Sequence, residues 1–238
     1  MSQLYLFDSW LRNDIINDKT WIFHLEPEHL VEINQVLAQI KAENIPFQFI
    51  TPQFFPLPSF QKLFMSVERL LIDNKYGFAL VKGIPVNKYS QKEIKSIYWT
   101  ICSHFGHIAS QNIQKERLVS IIDTYKLSKE KPIYKTAKAL PFHTDVTDIV
   151  TLLCLKQAAF GGESRIVSSV SVHNTIYTHY PHLREALYSD FYIDLADNRQ
   201  EDQMPYAINK IFGFKNLTMI NRYYSRHILN AQELYPEI

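Results

Sequence analysis

Apolar residues recur at helical spacing in three segments of the first half of the chain. Over residues 27–42 they fall three or four positions apart, which places them on one face of an amphipathic helix. A second such pattern begins at Phe60, after a proline-punctuated connector, and a third follows Ser90, a residue suited to cap a helix, and stops at Gly106. The three apolar faces consist of Leu30, Val31, Ile33, Val36, Leu37 and Ile40, then Phe60, Leu63, Phe64, Val67, Leu70 and Leu71, then Ile94, Ile97, Tyr98, Ile101 and Phe105.

Short runs rich in β-branched and aromatic residues dominate the rest of the chain. Such runs, bounded by turn residues, predict strands. The predicted strands are 76–83, 118–125, 149–157, 164–169, 191–196, 208–215 and 217–224. Two further helices are predicted, near 171–188 and over 225–234. Helices first and mostly antiparallel strands later indicate an α+β, mainly β fold, a β-sandwich or jelly roll with helices packed outside.

Composition and chain organisation favour one globular domain. Of the 238 residues 46% are hydrophobic and 21% are charged, and neither a repeat nor a low-complexity linker divides the chain. We therefore expect a single domain over residues 1–238. The formal net charge of +1 gives no electrostatic reason to expect a nucleic acid or a membrane surface as partner.

The N-terminus and the cysteines bear on the cellular compartment. No basic start followed by a long apolar run is present, which argues against a signal peptide, and no apolar run reaches 18 residues. Cys102 and Cys154 are too few for a disulfide framework, and both lie in apolar runs. We expect a cytoplasmic protein in which both cysteines are reduced core residues.

The tripeptide His143-Thr144-Asp145 is the strongest chemical signal in the chain. Residues i and i+2 of an extended chain point to the same face, so the imidazole and the carboxylate converge. Together they would supply two of the three ligands of a 2-His-1-carboxylate iron site. The tripeptide by itself is also compatible with an ordinary surface loop after Pro141.

The surroundings of this tripeptide resemble the TauD/TfdA family of dioxygenases. In that family His-Thr-Asp is followed by a hydrophobic strand and by a Gly-Gly-acidic-Ser/Thr turn into the next strand. Here these features are residues 143–145, residues 149–157 and Gly161-Gly162-Glu163-Ser164. Further similar segments cover essentially the whole chain, at 50–58, 77–86, 97–100, 106–112, 171–188 and 221–232.

The resemblance implies a double-stranded β-helix, which is a jelly-roll variant, and the cosubstrates of the family. His143 and Asp145 would be ligands of Fe(II). Ser164 would donate its hydroxyl to the distal carboxylate of 2-oxoglutarate, although the same serine is also a suitable plain turn residue after Gly161-Gly162. The implied reaction is the oxidation of a small polar molecule, such as an amino acid derivative or a sulfonate-like acid, coupled to decarboxylation of 2-oxoglutarate to succinate.

The family's remaining ligands lie beyond the last similar segment. Its second histidine and the arginine that pairs with 2-oxoglutarate follow the helix that here contains Ala231-Gln232, and this sequence ends at Ile238. We therefore expect an incomplete jelly roll without its last strands, weak Fe(II) binding and little coupled turnover by the chain alone. His227 is the least implausible substitute, but its family position opens a helix and is not a ligand.

Three functions follow from this pattern. The first is an Fe(II)- and 2-oxoglutarate-dependent dioxygenase acting on a small molecule. The second is a truncated, catalytically inactive relative that acts as a binding or partner-dependent module. The third is a plain jelly-roll binding module in which His-Thr-Asp occurs by chance. Without the last strands, the open sheet edge would be covered by the chain's own helices, by a partner chain or by self-association as a homo-oligomer.

Overall fold

A computed structural model shows two compact units. The residues that the structure describes are 9–72, 76–112, 114–122, 138–145, 147–195, 204–215 and 218–237. The N-terminal unit comprises Ser9–Ile108 and Thr151–Lys156, and the C-terminal unit comprises mainly Ala109–Val150 and Gln157–Ile238. The expectation of a single domain over residues 1–238 stays a prediction.

The N-terminal unit is mainly helical and confirms the three helices predicted for it. Its elements are α1 (Arg12–Asn17), β1 (Ile22–His24), α2 (Pro27–Ala42), α3 (Gln61–Ile72), β2 (Leu80–Lys82) and α4 (Gln91–Ser103), with single 3-10 turns at Phe47–Phe49, Pro58–Phe60 and Val86–Lys88. Its core is built by the apolar faces of α2 and α4 and by the turn that precedes α3. The buried members are Ile33, Leu37, Leu57, Phe60, Ile94 and Ile97. Val31, which the pattern also assigned to the apolar face of α2, is exposed.

Helix α4 begins with a capping box at Ser90. The Ser90 hydroxyl accepts a hydrogen bond from the Glu93 backbone N–H, and the Glu93 carboxylate accepts from the Ser90 backbone N–H at 2.8 Å. Lys41 of α2 donates to the same carboxylate at 2.9 Å. The bonds from Lys41 and then from Ser90 lower the pKa of Glu93 to about 2. This cap therefore ties the start of α4 to the end of α2.

The predicted strand 76–83 is shorter in the structure, and a glycine follows its last residue. Strand β2 pairs in parallel with β1, with Ile22 opposite Leu80. Gly83 follows with φ +117, and a Cβ atom there would stand 3.1 Å from the Leu25 Cβ atom. Both the left-handed backbone and the close approach require glycine at this position.

Residues 149–157 do not form the strand that the sequence predicts. Part of the segment, Thr151–Lys156, belongs to the N-terminal unit, where the Tyr98 hydroxyl donates to Thr151 Oγ1 at 2.6 Å and Leu153 packs against the core. A strand exists only through hydrogen bonds to a neighbouring strand, and β-branched composition cannot supply that neighbour. The prediction that Cys154 is a core residue is wrong, because this cysteine is exposed.

The C-terminal unit combines helices with small antiparallel sheets. Its elements are α5 (Ser169–His179), β3 (Asp190–Asp194), β4 (Tyr206–Lys210), β5 (Phe212–Lys215), β6 (Thr218–Asn221) and α6 (Ser225–Leu234). Strand β3 pairs with β4 and strand β5 with β6, both antiparallel. The predicted strand 164–169 is irregular until α5 begins, and 118–122 forms no strand; residues 123–125, Ala196 and Leu217 of the predicted strands lie outside the described residues.

The predicted strand 208–215 is divided at Ile211. Residues before it pair with β3 and residues after it pair with β6. The Ile211 carbonyl accepts hydrogen bonds from the Arg222 backbone N–H at 3.0 Å and from the Asn221 side chain at 2.8 Å. These bonds satisfy the carbonyl at the break and bring residues 221 and 222 alongside it.

A helix long and apolar enough to cross a lipid bilayer does not occur in the described residues.

Candidate active site

His143 and Asp145 lie in an irregular segment of the C-terminal unit, and their side chains converge. His143 Nε2 and Asp145 Oδ1 are 3.7 Å apart. The His143 side chain is 24% exposed and that of Asp145 is 51% exposed. Side chains alternate in direction along an extended chain, so residues two positions apart point the same way. An imidazole nitrogen and a carboxylate oxygen therefore meet at one solvent-accessible point.

The other nitrogen of the His143 ring already has a partner. His143 Nδ1 lies 2.7 Å from the Pro141 carbonyl oxygen, which can only accept a hydrogen bond. Nδ1 therefore carries the proton, and the lone pair of the neutral ring is on Nε2, the nitrogen that faces Asp145. Histidines that bind metals are commonly oriented in this way, by a bond from the second ring nitrogen to a backbone carbonyl.

Thr144, between the two candidate ligands, attaches the segment to the chain just before α6. Its backbone N–H donates to the Tyr223 carbonyl at 2.8 Å, and its hydroxyl oxygen accepts from the Tyr223 backbone N–H at 2.8 Å. No local sequence pattern predicts this role, because the two residues are 79 positions apart.

The ring of Tyr224 stacks on the ring of His143. The two ring centroids are 4.8 Å apart with planes inclined by 27°. Tyr224 also stacks on His227, with a centroid distance of 4.5 Å. His227 thus contacts the tyrosine as a stacking partner at the start of α6, in keeping with its interpretation as a helix-opening residue.

Ser164, the candidate 2-oxoglutarate contact, lies in an exposed irregular segment after Gly161 and Gly162. Both glycines have positive φ, +72 and +76, as a tight turn requires. In the described part of the chain Ser164 forms no hydrogen bond with His143 or Asp145. Its assignment stays a prediction.

The donor set fits one divalent metal ion with a small side-chain movement. Nitrogen and oxygen ligands bind such ions at about 2.0–2.2 Å, so two ligands in adjacent positions stand about 3 Å apart. The observed 3.7 Å is wider by less than an ångström and within reach of a rotation of the exposed Asp145 side chain. Within the described ranges no third histidine, cysteine, aspartate or glutamate completes a group of three.

Comparison with known families identifies the type of protein. A profile described as "Taurine catabolism dioxygenase TauD, TfdA family" matches residues 42–227, well over half of the chain. The chain belongs to the TauD/TfdA family. The match spans His143, Asp145 and Ser164 and confirms the resemblance found from the sequence.

Two curated members of the family are similar over most of this chain. FR-33289 synthase of Streptomyces rubellomurinus is 28% identical over 226 residues, which cover 93% of this chain and 66% of the relative. The taurine hydroxylase-like protein SAT17 of Stachybotrys chartarum is 23% identical over 201 residues, which cover 78% of this chain and 50% of the relative. The matched parts of this chain thus correspond to about two-thirds and one-half of the lengths of these relatives.

Proposed function

We propose that this TauD/TfdA chain is an Fe(II)- and 2-oxoglutarate-dependent dioxygenase that oxidises a small polar molecule. The observation that carries the proposal is the convergence of His143 Nε2 and Asp145 Oδ1, 3.7 Å apart, in a chain of this family. The proposal includes the jelly-roll architecture implied by the family. The antiparallel pairs β3–β4 and β5–β6 are compatible with it.

His143 and Asp145 would hold the iron. In the neutral ring, the bond from His143 Nδ1–H to the Pro141 carbonyl leaves the lone pair on Nε2 and directs it to one side. The Asp145 carboxylate, half exposed, supplies the negative charge that a hard divalent ion prefers. When bound, iron with 2-oxoglutarate supplies oxygen activation, and the decarboxylation of 2-oxoglutarate to succinate drives oxidation of a C–H bond.

Ser164 would contact the cosubstrate. A serine hydroxyl donates a hydrogen bond to a carboxylate oxygen, and such charge-assisted bonds are stronger than bonds between neutral groups. The turn at Gly161 and Gly162 presents this hydroxyl at the surface of the C-terminal unit.

The name of one relative supports a proposal for the substrate class. One relative is named a taurine hydroxylase-like protein, and taurine is a small aminosulfonate. We propose a substrate of this chemical class, a small molecule with an amino or acidic group such as an amino acid derivative or a sulfonate.

Succinate release tests the function. The full chain would be incubated with Fe(II), ascorbate, O₂ and 2-oxoglutarate, together with a panel of amino acids and sulfonates. The low coupled turnover expected of the chain alone should appear as a small amount of substrate-dependent succinate from the wild type, and none should form with Asp145→Ala or His143→Ala. The matched controls are Asp148→Ala and His179→Ala, which remove an exposed carboxylate and an exposed imidazole elsewhere and should retain activity. Equal succinate from Asp145→Ala and wild type would refute the proposal.

A second candidate is a family member that binds a partner without turnover. Large apolar side chains of the C-terminal unit favour it, because Phe160 is 96% exposed and Ile166 and Val167 are also exposed. Exposed apolar side chains become an interaction site where they form a contiguous patch. Absence of succinate with every substrate, combined with a dimer mass in native mass spectrometry, would favour this candidate over the enzyme.

A further inference from the structure

Thr144 is the residue through which the His-Thr-Asp segment is attached to the rest of the C-terminal unit. It uses both its backbone N–H and its hydroxyl oxygen on the same partner, and the two bonds to Tyr223 are both 2.8 Å long. Together they satisfy the carbonyl and the N–H of Tyr223. Two bonds between residues 79 positions apart fix both the distance and the orientation of the segment relative to Tyr223.

Tyr224 follows directly, and its ring meets the ring of His143. Because Tyr223 and Tyr224 are neighbours, the backbone pairing at Thr144 determines where the Tyr224 ring stands relative to His143. The centroid distance of 4.8 Å and the 27° inclination describe a stacked pair. A stacked ring restricts rotation of the imidazole about its Cβ–Cγ bond.

These contacts act on a residue whose orientation matters for its chemistry. The His143 ring must keep Nδ1 at the Pro141 carbonyl and Nε2 toward Asp145, a pair of directions that a rotated ring would lose. A neutral imidazole offers one lone pair, so its direction decides whether it can bind a metal ion.

We propose that Thr144 and Tyr224 are positioning residues that hold the His143 imidazole in its ligand orientation. Thr144 fixes the backbone through Tyr223, and Tyr224 restrains the ring by stacking. The consequence for metal binding rests on the proposed function, whereas the orientation of the ring does not. Neither residue is itself a proposed metal ligand.

The test compares Thr144→Val, Thr144→Ser, Tyr224→Leu and Tyr224→Phe in the full chain. Valine keeps the shape of threonine but leaves the Tyr223 N–H without its acceptor, whereas serine keeps the hydroxyl. Leucine removes the stacked ring, whereas phenylalanine keeps it. Thr147→Val is the matched control, since its exposed hydroxyl bonds only weakly, at 3.5 Å, to the Ile149 carbonyl.

The first measurement needs no metal. Long-range ¹H–¹⁵N NMR of metal-free protein reports the tautomer of His143 and the shifts of its ring protons, assigned with His143→Ala. We expect wild type, Thr144→Ser and Thr147→Val to show one Nδ1–H tautomer. Thr144→Val should show a mixture, and Tyr224→Leu, unlike Tyr224→Phe, should lose the upfield shift that a stacked ring causes.

The second measurement is the dissociation constant for Mn(II), a redox-inert probe. Loss of a group that orients a metal ligand commonly weakens binding by roughly 10–100-fold, and we expect at least the lower value for Thr144→Val, with Thr144→Ser close to wild type. A Thr144→Val protein with wild-type tautomer and wild-type affinity would overturn the inference and leave the proposed function standing. If no protein binds Mn(II), the proposed function fails, and the tautomer still decides the inference. Should Thr144→Val not fold, the tautomer of His143 and the dissociation constant for Mn(II) are compared between Tyr224→Leu and Tyr224→Phe. Equal values in these two variants would overturn the inference.

Discussion

His104, at the end of α4, is a histidine whose surroundings disfavour its charged form. Its ring stacks on Phe64 at 5.0 Å, and its Nε2 lies 3.3 Å from the Phe55 carbonyl. Burial is the main cause of its lowered pKa, opposed by the bond to Phe55 and by the charge of Glu32. Folding therefore favours the neutral ring.

This burial predicts a pH-dependent stability. In the unfolded chain His104 takes up a proton as pH falls below about 6.5, while the folded protein takes it up only at lower pH. The contribution of the neutral ring is thus fully present above that value and is lost as pH falls through the folded pKa. Urea unfolding of wild type and His104→Gln between pH 8 and 5 should show a steeper loss for the wild type. His24→Gln, at an exposed histidine, is the control, and parallel profiles for His104→Gln and wild type would contradict the prediction.

At the scale of elements, the start of α4 depends on the Ser90 capping box. Replacing Ser90 by alanine removes the acceptor of the Glu93 N–H and the hydroxyl donor to the Glu93 carboxylate. Loss of an N-cap costs about 1 kcal/mol, so we expect a decrease of this size in the free energy of unfolding. Equilibrium urea denaturation at neutral pH measures it.

Ser66→Ala provides the matched comparison within a helix. Ser66 lies inside α3, where its hydroxyl bonds back to the Lys62 carbonyl four residues earlier. Serine in a helix interior is slightly less favourable than alanine, so this substitution should be neutral or slightly stabilising. Equal destabilisation by Ser66→Ala and Ser90→Ala would mean that the cap has no special contribution.

At the scale of the whole molecule, the buried apolar cluster lies within one of the two units. Phe60 is 1% exposed and packs against His29 and Phe64. Truncation of a buried phenylalanine to alanine costs roughly 3–5 kcal/mol. We expect Phe60→Ala to lower the free energy of unfolding by this amount, and hydrogen exchange should show the loss of protection mainly in the N-terminal unit.

Phe54→Ala is the control for this experiment, because Phe54 is 75% exposed and exposed substitutions usually change stability by less than about 0.5 kcal/mol. A uniform loss of protection in both units of Phe60→Ala would show that the chain unfolds cooperatively as one body. That result would support the expected single domain and contradict the localised response.

Helices of the N-terminal unit could be predicted from the sequence because their signals are local. The i, i+4, i+7 spacing of Ile33, Leu37 and Ile40 and the cap at Ser90 appear unchanged in α2 and α4. The pair His143 and Asp145 could also be predicted, because the two residues are two positions apart and an extended chain directs them to one side.

Strand pairing and the support of the candidate site were decided by the tertiary structure. Residues 149–157 have the composition of a strand, yet the segment forms no strand. Thr151 and Leu153 instead belong to the N-terminal unit, where Thr151 bonds to Tyr98 and Leu153 packs against the core. Residues 208–215 read as one strand but divide at Ile211 between two partners. Composition specifies which residues favour an extended backbone, but it does not specify which strand they pair with.

The sequence by itself therefore determined the family, the N-terminal helices and the two candidate ligands, all of which depend on residues close together or on ordered motifs. Only the tertiary structure showed that Thr144 pairs with Tyr223 and that Tyr224 stacks on His143. These contacts join residues about eighty positions apart. They form because backbone groups that are close in space form hydrogen bonds and aromatic rings that are close in space stack. The orientation of the His143 ring thus depends on a remote part of the chain.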